Sequence, residues 1–412
     1  MTTAAAPAVE ATVSPTGRGY ARLVLVLGAL IALGPLTIAM YLPAFPRIGD
    51  DLRAGDSAVQ LTLTGMLLGL AVGQLVIGPL SDAWGRRRPL IAGLCTHAVA
   101  SLLCAVAPTI AVLAVVRVVQ GFAGAAISVV AMAIVRDLFD GIAVARIMSR
   151  LMLVIGLAPI LAPSLGGLIL GFTSWRGIFV VLATAAVLLV LVAVLGLRET
   201  LPVARRRPAT VRSSLSAYRT LLGDRVFMAL TFVGGTMMAA IFAYVSGASF
   251  VLQDGFGLDA RTFALVFGLN SVGLTVTAQL NPLLLRWFSV KQVLGVAIVL
   301  AMLAAAALLV VGLTGAGGLV AVLVPMGLLV STAGLALPNT PALALTRHGE
   351  AAGTAAAVLG CVQFGIGAVV APLVGAFGST TAAPMGAVLL AVTAVAALLM
   401  FGVVQRERDP AF

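Results

Sequence analysis

Gly78-Pro79-Leu80-Ser81-Asp82-Ala83-Trp84-Gly85-Arg86-Arg87-Arg88 interrupts two long apolar runs, 57–79 and 89–107, with a cluster of charge. Its glycines let two helix ends approach closely, Asp82 sits where a helix ends, and the Arg cluster holds the loop on one side of a membrane. Each flanking run matches the roughly 20 apolar residues that cross a bilayer core about 30 Å thick at about 1.5 Å per helical residue. The stretch therefore reads as a short loop between two membrane-spanning helices.

Working outward, the same pattern continues in both directions. Apolar segments fall at 20–43, 57–79, 89–107, 109–135, 147–171 and 175–197, then at 226–251, 262–284, 291–313, 317–340, 351–377 and 382–404. Of the 412 residues 61% are hydrophobic and 9% charged, against roughly 25% charged in an ordinary soluble domain. No soluble fold hides that much apolar surface. The expected fold class is an all-α membrane protein of twelve transmembrane helices in two pseudo-symmetric six-helix bundles, 20–197 and 226–404. The Arg-rich segment 198–225 reads as a linker, 1–19 as a disordered tail without a signal-peptide pattern, and 405–412 as a second tail.

The net charge of +11 comes from 24 Arg and one Lys scattered in short clusters between the apolar runs. That distribution marks topology rather than a nucleic-acid surface. With the N-terminus inside, Arg47, Arg53, Arg176 and Arg261 fall outside, Arg117 falls within a span, and the remaining basic residues lie inside. The positive-inside rule thus predicts that both termini are cytoplasmic. Trp84, Trp175 and Trp287 fall at span ends, as interfacial tryptophans do. The three cysteines, Cys95, Cys104 and Cys361, lie inside apolar runs and suggest neither a disulfide framework nor a metal site.

Tyr41/Tyr244, Pro79/Pro282 and Trp84/Trp287 recur at one constant offset, and Gly156/Gly365, Pro163/Pro372 and Gly166/Gly375 at another. The matches land in corresponding spans, which predicts two parallel halves with a site between them at mid-membrane. Arg117, in Arg117-Val118-Val119-Gln120-Gly121, stands inside the fourth span. It must face an aqueous cavity or a partner, because a central Arg costs roughly 2.5–3.5 kcal/mol on insertion scales. In the fifth span, Gly156-Leu157-Ala158-Pro159-Ile160-Leu161-Ala162-Pro163-Ser164-Leu165-Gly166-Gly167 spends helix stability on prolines and glycines, which implies a bend and a close helix contact.

The 78–88 loop resembles the inner-loop signature of the major facilitator superfamily, with a degraded counterpart at Asn281-Pro282-Leu283-Leu284-Leu285-Arg286-Trp287. The resemblance implies a charge relay of Asp82, Arg86 and Asp137 that leans on the N-terminus of the eleventh span near Ala351. The Arg117 block resembles the family's buried-Arg motif. The fifth-span pattern, with Gly156, Pro159, Pro163 and Gly166, resembles that of its drug antiporters. Met40-Tyr41-Leu42-Pro43-Ala44-Phe45-Pro46, Ser174-Trp175-Arg176-Gly177-Ile178-Phe179, Arg198-Glu199-Thr200-Leu201-Pro202, Phe267-Gly268-Leu269-Asn270, Pro338-Asn339 and Gln363-Phe364-Gly365-Ile366-Gly367 are similar to blocks of the Bcr/CflA drug-resistance subfamily. These blocks cover nearly the whole chain. The resemblance implies export of chloramphenicol-type, bicyclomycin-type and other amphipathic compounds in exchange for protons, by a monomer without cofactors. Ala39 stands where that subfamily commonly carries Asp, so weak proton coupling is expected unless His97 or the pair Asp82 and Asp137 supplies the proton site. The third span of such bundles generally faces lipid, and this sets His97 aside. His348 falls in a loop and has no expected role.

With no carboxylate inside a span, the polar residues there are few: Gln60, Gln74, His97, Gln120, Asn270, Gln279, Asn339, Gln363, Tyr41 and Tyr244. A site for varied amphipathic cargo needs adaptable apolar and aromatic walls. Met40, Tyr41, Met237, Met238, Phe242 and Tyr244 are the expected walls, with Arg117, Gln120, Asn270, Asn339 and Gln363 as polar contacts. A metabolite-importing symporter would place charged or multiply hydrogen-bonding residues in the cavity, and a membrane sensor would carry an appended domain. Neither a His-Glu-x-x-His pattern, a paired intramembrane Asp nor a Walker loop is present, so no enzyme is expected.

Overall fold

The computed structural model describes residues 18–139, 141–206, 218–346, 352–378 and 381–407. The expected tail at 1–19 lies almost entirely outside these residues, as do most of the second tail and the middle of the linker. Seven helices make up the first half: α1 (Arg18–Ala39), α2 (Phe45–Leu52), α3 (Asp56–Trp84), α4 (Arg87–Ala105), α5 (Ile110–Leu138), α6 (Gly141–Leu170) and α7 (Trp175–Gly196). The second half holds α8 (Arg225–Phe250), α9 (Ala260–Leu284), α10 (Val290–Thr314), α11 (Gly318–Thr346), α12 (Ala352–Val370), α13 (Leu373–Ala376) and α14 (Ala382–Leu399). Among the described residues eleven helices are long and apolar enough to cross a membrane, and Gly156–Leu170 of α6 adds a further apolar stretch.

Polar caps set several helix starts. Thr109 accepts from the Val112 N–H, Asp259 from Thr262 and Asp224 from Val226 and Phe227, while Ser289 and Gln292 form a reciprocal capping box. These bonds satisfy N–H groups that a helix leaves unpaired. The first span departs from its expected 20–43. Helix α1 stops at Ala39, and a single turn of 3-10 helix, Leu42–Ala44, leads into the separate α2. Prolines at 43 and 46 favour helix starts, and Arg53 closes α2 in the left-handed region at φ 51°.

In the first half α3 packs on α5, α4 on α5 and α7, and α1 on α6; in the second, α10 packs on α11 and α14, α9 on α11, and α8 on α12 and α14. The two broadest contacts between the halves are α3 against α12 and α6 against α9. The α3/α5 approach is close enough that the Gly121 Cα lies beside the Met66 carbonyl, where any side chain would collide. Large apolar side chains such as Leu68, Val115, Leu188, Leu303 and Leu398 are exposed, as a lipid-facing perimeter requires.

Candidate transport pathway

On the face that carries the Arg-rich loops, Arg86 is buried at the junction of α3, α4 and α5. It bonds Asp82 Oδ1 at 2.5 Å, Asp137 Oδ2 at 2.8 Å through Nε, and Ser81 Oγ at 2.8 Å. The relay implied by the family resemblance is assembled within the first half. Its expected reach to the eleventh span is not made among the described residues: the Asp82 side chain is 49% exposed and bonds Arg86. Residues 347–351, beside which that contact was expected, lie outside the described segments.

Glu199, just beyond α7, completes this cluster, and sequence reasoning did not single it out. Its carboxylate accepts the backbone N–H of Arg86 (2.8 Å), Arg87 (3.2 Å) and Leu201 (3.0 Å), and Thr200 Oγ1 donates to Asp137 (3.1 Å). Partial burial alone would raise the Glu199 carboxyl. The three backbone donors and the charge of Arg206 outweigh it and hold the group below the ordinary carboxylate value. Gly85, at φ +90°, lies against that carboxylate and could carry no side chain.

Deeper in the first half, Arg117 has no exposed surface. Nη1 donates to Gln120 Oε1 at 2.6 Å, and both terminal nitrogens reach the Thr37 carbonyl at 3.2 and 3.3 Å. The guanidinium carbon sits 4.3 Å from the Tyr41 ring centroid and 5.8 Å from that of Phe179. These are neutral partners, and Nε has none. Gln120 continues the network by donating to Ser101 Oγ at 2.7 Å, and Ser101 meets the His97 ring 3.4 Å away. His97 Nε2 then lies 3.0 Å from Thr37 Oγ1. His97 is fully buried between α1 and α5 rather than turned to lipid as expected. The hydroxyls of Thr37 and Ser101 carry no periodic signal within apolar runs, so the extension of the network from Arg117 and Gln120 to His97 was not legible beforehand.

The opposite face is closed across the two halves. Gln60 donates to the Ser246 carbonyl at 3.3 Å and accepts the Gly375 N–H at 2.9 Å. Thr64 donates to Ala368 (3.0 Å), Ser249 to Leu42 (2.8 Å) and Gln253 to Pro43 (3.3 Å), all to carbonyls. Near mid-membrane Thr275 donates to Gly156 (3.0 Å). Gly166 lies directly against the Met40 carbonyl, and Pro163 is buried beside it in sequence. The expected close contact of the fifth span is thus present, made with the end of α1. Pro159 falls where α6 side chains are not described.

The expected substrate contacts divide. Gln363 lines a cavity of about 200 Å³ together with Met238, Leu337, Pro341, Leu345, Ala356, Leu359 and Gly360, between α8, α11 and α12 on the Arg-rich side. Most other candidates are packed away from it. Met40 and Tyr41, expected as walls, are buried, with Tyr41 stacked under Arg117 and against Phe45 and bonded to Thr62. Arg117 and Gln120 are enclosed in their own network, so neither can touch cargo in this conformation. Tyr244 stacks on Phe267 and accepts from Asn270, while Asn339 and Asn281 pair through both amides at 2.7 and 3.3 Å. Ala39 is buried at the end of α1. A wider recess of about 430 Å³ on the opposite face is lined by Asp50, Asp56, Asp254 and Arg53. Its charge and its place beyond the closed seam make it a poor seat for apolar cargo.

The family model of the Major Facilitator Superfamily matches residues 26–372. The chain is 40% identical over 396 residues to an uncharacterized MFS-type transporter, YdgK, of Bacillus subtilis, covering 96% of this chain and 98% of the relative. It is 30% identical to the bicyclomycin resistance protein homolog of Haemophilus influenzae, covering 88% and 91%. To the multidrug resistance protein MdtL of Klebsiella pneumoniae it is 32% identical, covering 65% and 67%. Among solved structures, an inward-facing, occupied bacterial homolog of the lysosomal transporter Spinster superposes with a TM-score of 0.73 at 15% identity, covering 96% of this chain and all of that one. The xylose transporter XylE of E. coli gives 0.72 at 14%, covering 93% and 97%. These two likenesses concern the fold, whereas the family model spans most of the sequence and the 40% identical relative nearly all of it: the chain belongs to the major facilitator superfamily, and it is a membrane transporter of small substrates rather than an enzyme.

Proposed function

We propose that this transporter exports amphipathic small molecules across the bacterial cytoplasmic membrane by alternating access, with the Arg-rich face toward the cytoplasm. The observation that carries the reading is the cavity around Gln363. One amide among Met238, Leu337, Pro341, Leu345 and Leu359 offers a cargo a single orienting group and broad apolar contact, the composition that accepts varied amphipathic molecules. No charged side chain lines it, which disfavours sugar- or amino-acid-like solutes that need several polar partners. The drug-resistance relatives support the same reading. The present conformation supports it as well: the outer seam is shut while the cavity lies beside the cytoplasmic ends of α11 and α12, ready to load from within.

The test is accumulation of a panel of amphipathic antibiotics, bicyclomycin and chloramphenicol included, in cells with and without the protein. Lower accumulation with the protein, restored by Gln363→Ala or by the bulkier Ala356→Phe at the cavity wall, is the expected result. Equal accumulation across the panel at verified expression overturns the export reading.

A further inference from the structure

The buried network of the first half holds a titratable group with no place in that reading. His97 is enclosed by α1, α4 and α5, and its hydrogen bonds indicate which ring nitrogen carries a proton. The Thr37 hydroxyl gives its one proton to the Leu33 carbonyl at 2.6 Å, so its 3.0 Å contact with His97 Nε2 requires an N–H on the ring. The Ser101 hydroxyl points its proton at the His97 carbonyl, 2.7 Å away, and leaves Nδ1 at 3.4 Å with a weak contact. These contacts call for a proton on Nε2 and leave Nδ1 without a strong hydrogen bond.

The groups around it explain why it stays neutral here. From α5 it faces Arg117, from its own helix Cys104, and from α1 the neutral Thr37 with Tyr41 beyond. Phe179 of α7 lies 5.8 Å from the Arg117 guanidinium and Thr62 of α3 bonds Tyr41, and both are uncharged. None of the ion pairs among the described residues brings a carboxylate to this pocket. An imidazolium would share the closed space with a guanidinium that has no counter-ion, and two such charges repel strongly away from water.

What holds the guanidinium in place is the end of α1. Thr37 accepts both terminal nitrogens of Arg117 through its carbonyl and bonds His97 through its hydroxyl. A few residues on, the Met40 carbonyl packs on Gly166, and the Leu42 and Pro43 carbonyls accept from Ser249 and Gln253 across the seam. One short segment thus anchors both the outer seam and the charged network. We propose that His97 is a proton-binding site linked to the outer seam, with Nδ1 taking a proton when the seam opens and the end of α1 draws Thr37 and Arg117 away. Closing the seam returns Arg117 and expels the proton. With the Arg-rich face cytoplasmic, the proton enters from outside and leaves inside, opposite to exported cargo. The site supplies what Ala39 cannot, and the weak coupling expected from Ala39 alone is replaced by coupling through the neighbouring helix. It rests on alternating access but not on the identity of the cargo.

The chain has two histidines, so His348→Asn leaves His97 as the sole imidazole for ¹⁵N NMR of the full-length protein in lipid nanodiscs. A side chain at Gly375 would meet Gln60 Oε1 at 2.6 Å and Ser57 Cα at 3.0 Å, so Gly375→Trp wedges the seam. At about pH 5.5, where an unperturbed imidazole is mostly charged, the closed protein should show the neutral Nε2–H ring and the wedged variant the imidazolium. Gln60→Ala, which loosens the seam without adding bulk, repeats the comparison should the tryptophan variant fail to fold. Linkage is reciprocal, so exchange of the Leu373–Ala376 amides, corrected for its intrinsic pH dependence, should be faster at about pH 6 than at about pH 8 and lose that dependence in His97→Gln. A ring in the same protonation state in the closed and loosened proteins, or corrected exchange that ignores pH in the unmodified chain, overturns the proposal. No drug enters either measurement, so failure of the export reading would leave both results standing.

Discussion

On the Arg-rich face Arg86 gathers Asp82, Asp137 and Ser81 within one half of the molecule, with Glu199 fastened to the same turn. Across the seam on the opposite face Gln60, Thr64, Ser249 and Gln253 reach from one half to backbone groups of the other. The first set is ionic and internal to one half. The second is neutral and spans the interface between the halves. A neutral hydrogen bond contributes about 1 kcal/mol net, so several can break and re-form in each cycle. A buried ion pair stripped of one partner costs far more, which suits a cluster that preserves the shape of a loop through every state. The second half makes the same point by omission: at the counterpart loop Asn281 and Asn339 exchange amide bonds between α9 and α11, and no relay stands there among the described residues.

The largest expected effect comes from breaking the ionic set at its centre. Arg86→Ala leaves the Asp137 carboxylate, only 16% exposed, without its cation, and should destabilise the first half by about 3 kcal/mol. Asp82→Asn should cost much less stability, since Asp82 is half exposed, while still impairing export. Arg88→Ala, on an exposed side chain, should change neither. Thermal unfolding in nanodiscs alongside export at matched expression separates the three. Similar losses for Arg86→Ala and Arg88→Ala would show that net positive charge, not the relay, is what matters.

Second in size is the contact of α6 with the end of α1, beside the residues that bond across the seam. In Gly166→Leu the new side chain must displace the Met40 carbonyl, and overpacking of this kind costs about 1–3 kcal/mol. The variant should also jam transport, because the displaced segment carries Thr37, Leu42 and Pro43. Leu168→Ala, two residues away on a 60% exposed side chain, should be nearly silent in both assays. Equal effects from the two would remove the close-packing argument.

The span pattern was legible because length and apolarity alone decide what crosses a bilayer. Facing was not. In α4 or α14 nearly every side is apolar, so the helical period that marks the core face of a soluble helix is faint. That is why Tyr41, read as a cavity wall, proved to be the floor under Arg117, and why His97, read as turned to lipid, proved to be fully buried. The break after Ala39 was hidden for a similar reason, since Met40 to Phe45 continue the apolar run. The relay of Asp82, Arg86 and Asp137 could be named in advance because charge is rare in such a chain. Glu199 was missed because its partners are backbone N–H groups, which no side-chain pattern reveals.

Gln60→Ala sharpens the comparison from the neutral side. It removes two bonds across the seam, together worth about 1–2 kcal/mol, and should shift the population toward the outward-open state without lowering the unfolding temperature of either half. Access of a water-soluble thiol reagent to Ser246→Cys, now covered by the seam, should rise by roughly tenfold, the factor that about 1.4 kcal/mol provides. Unchanged access would mean that the packing of α3 on α12, not these bonds, keeps the outer face shut.

The smallest effect lies at the rim of the ionic set and depends on pH. Glu199 is held below its ordinary value, so its bonds stabilise the folded protein above the unfolded carboxyl value of about 4.3. That contribution fades as pH falls through the lower folded value. In Glu199→Gln the amide oxygen can still accept from Arg86 and Leu201, but the amide nitrogen would face the Arg87 N–H, donor against donor, and the pairing with Arg206 at 3.9 Å loses its charge. Because the group is near the surface, the loss should be below about 1 kcal/mol at neutral pH. It should shrink toward zero on acidification, since the native carboxyl then becomes neutral too. Unfolding of the two proteins compared between about pH 7 and pH 3 isolates this residue, because every other carboxylate is common to both. A difference that widens on acidification would mean that the carboxylate strains this turn instead of fastening it.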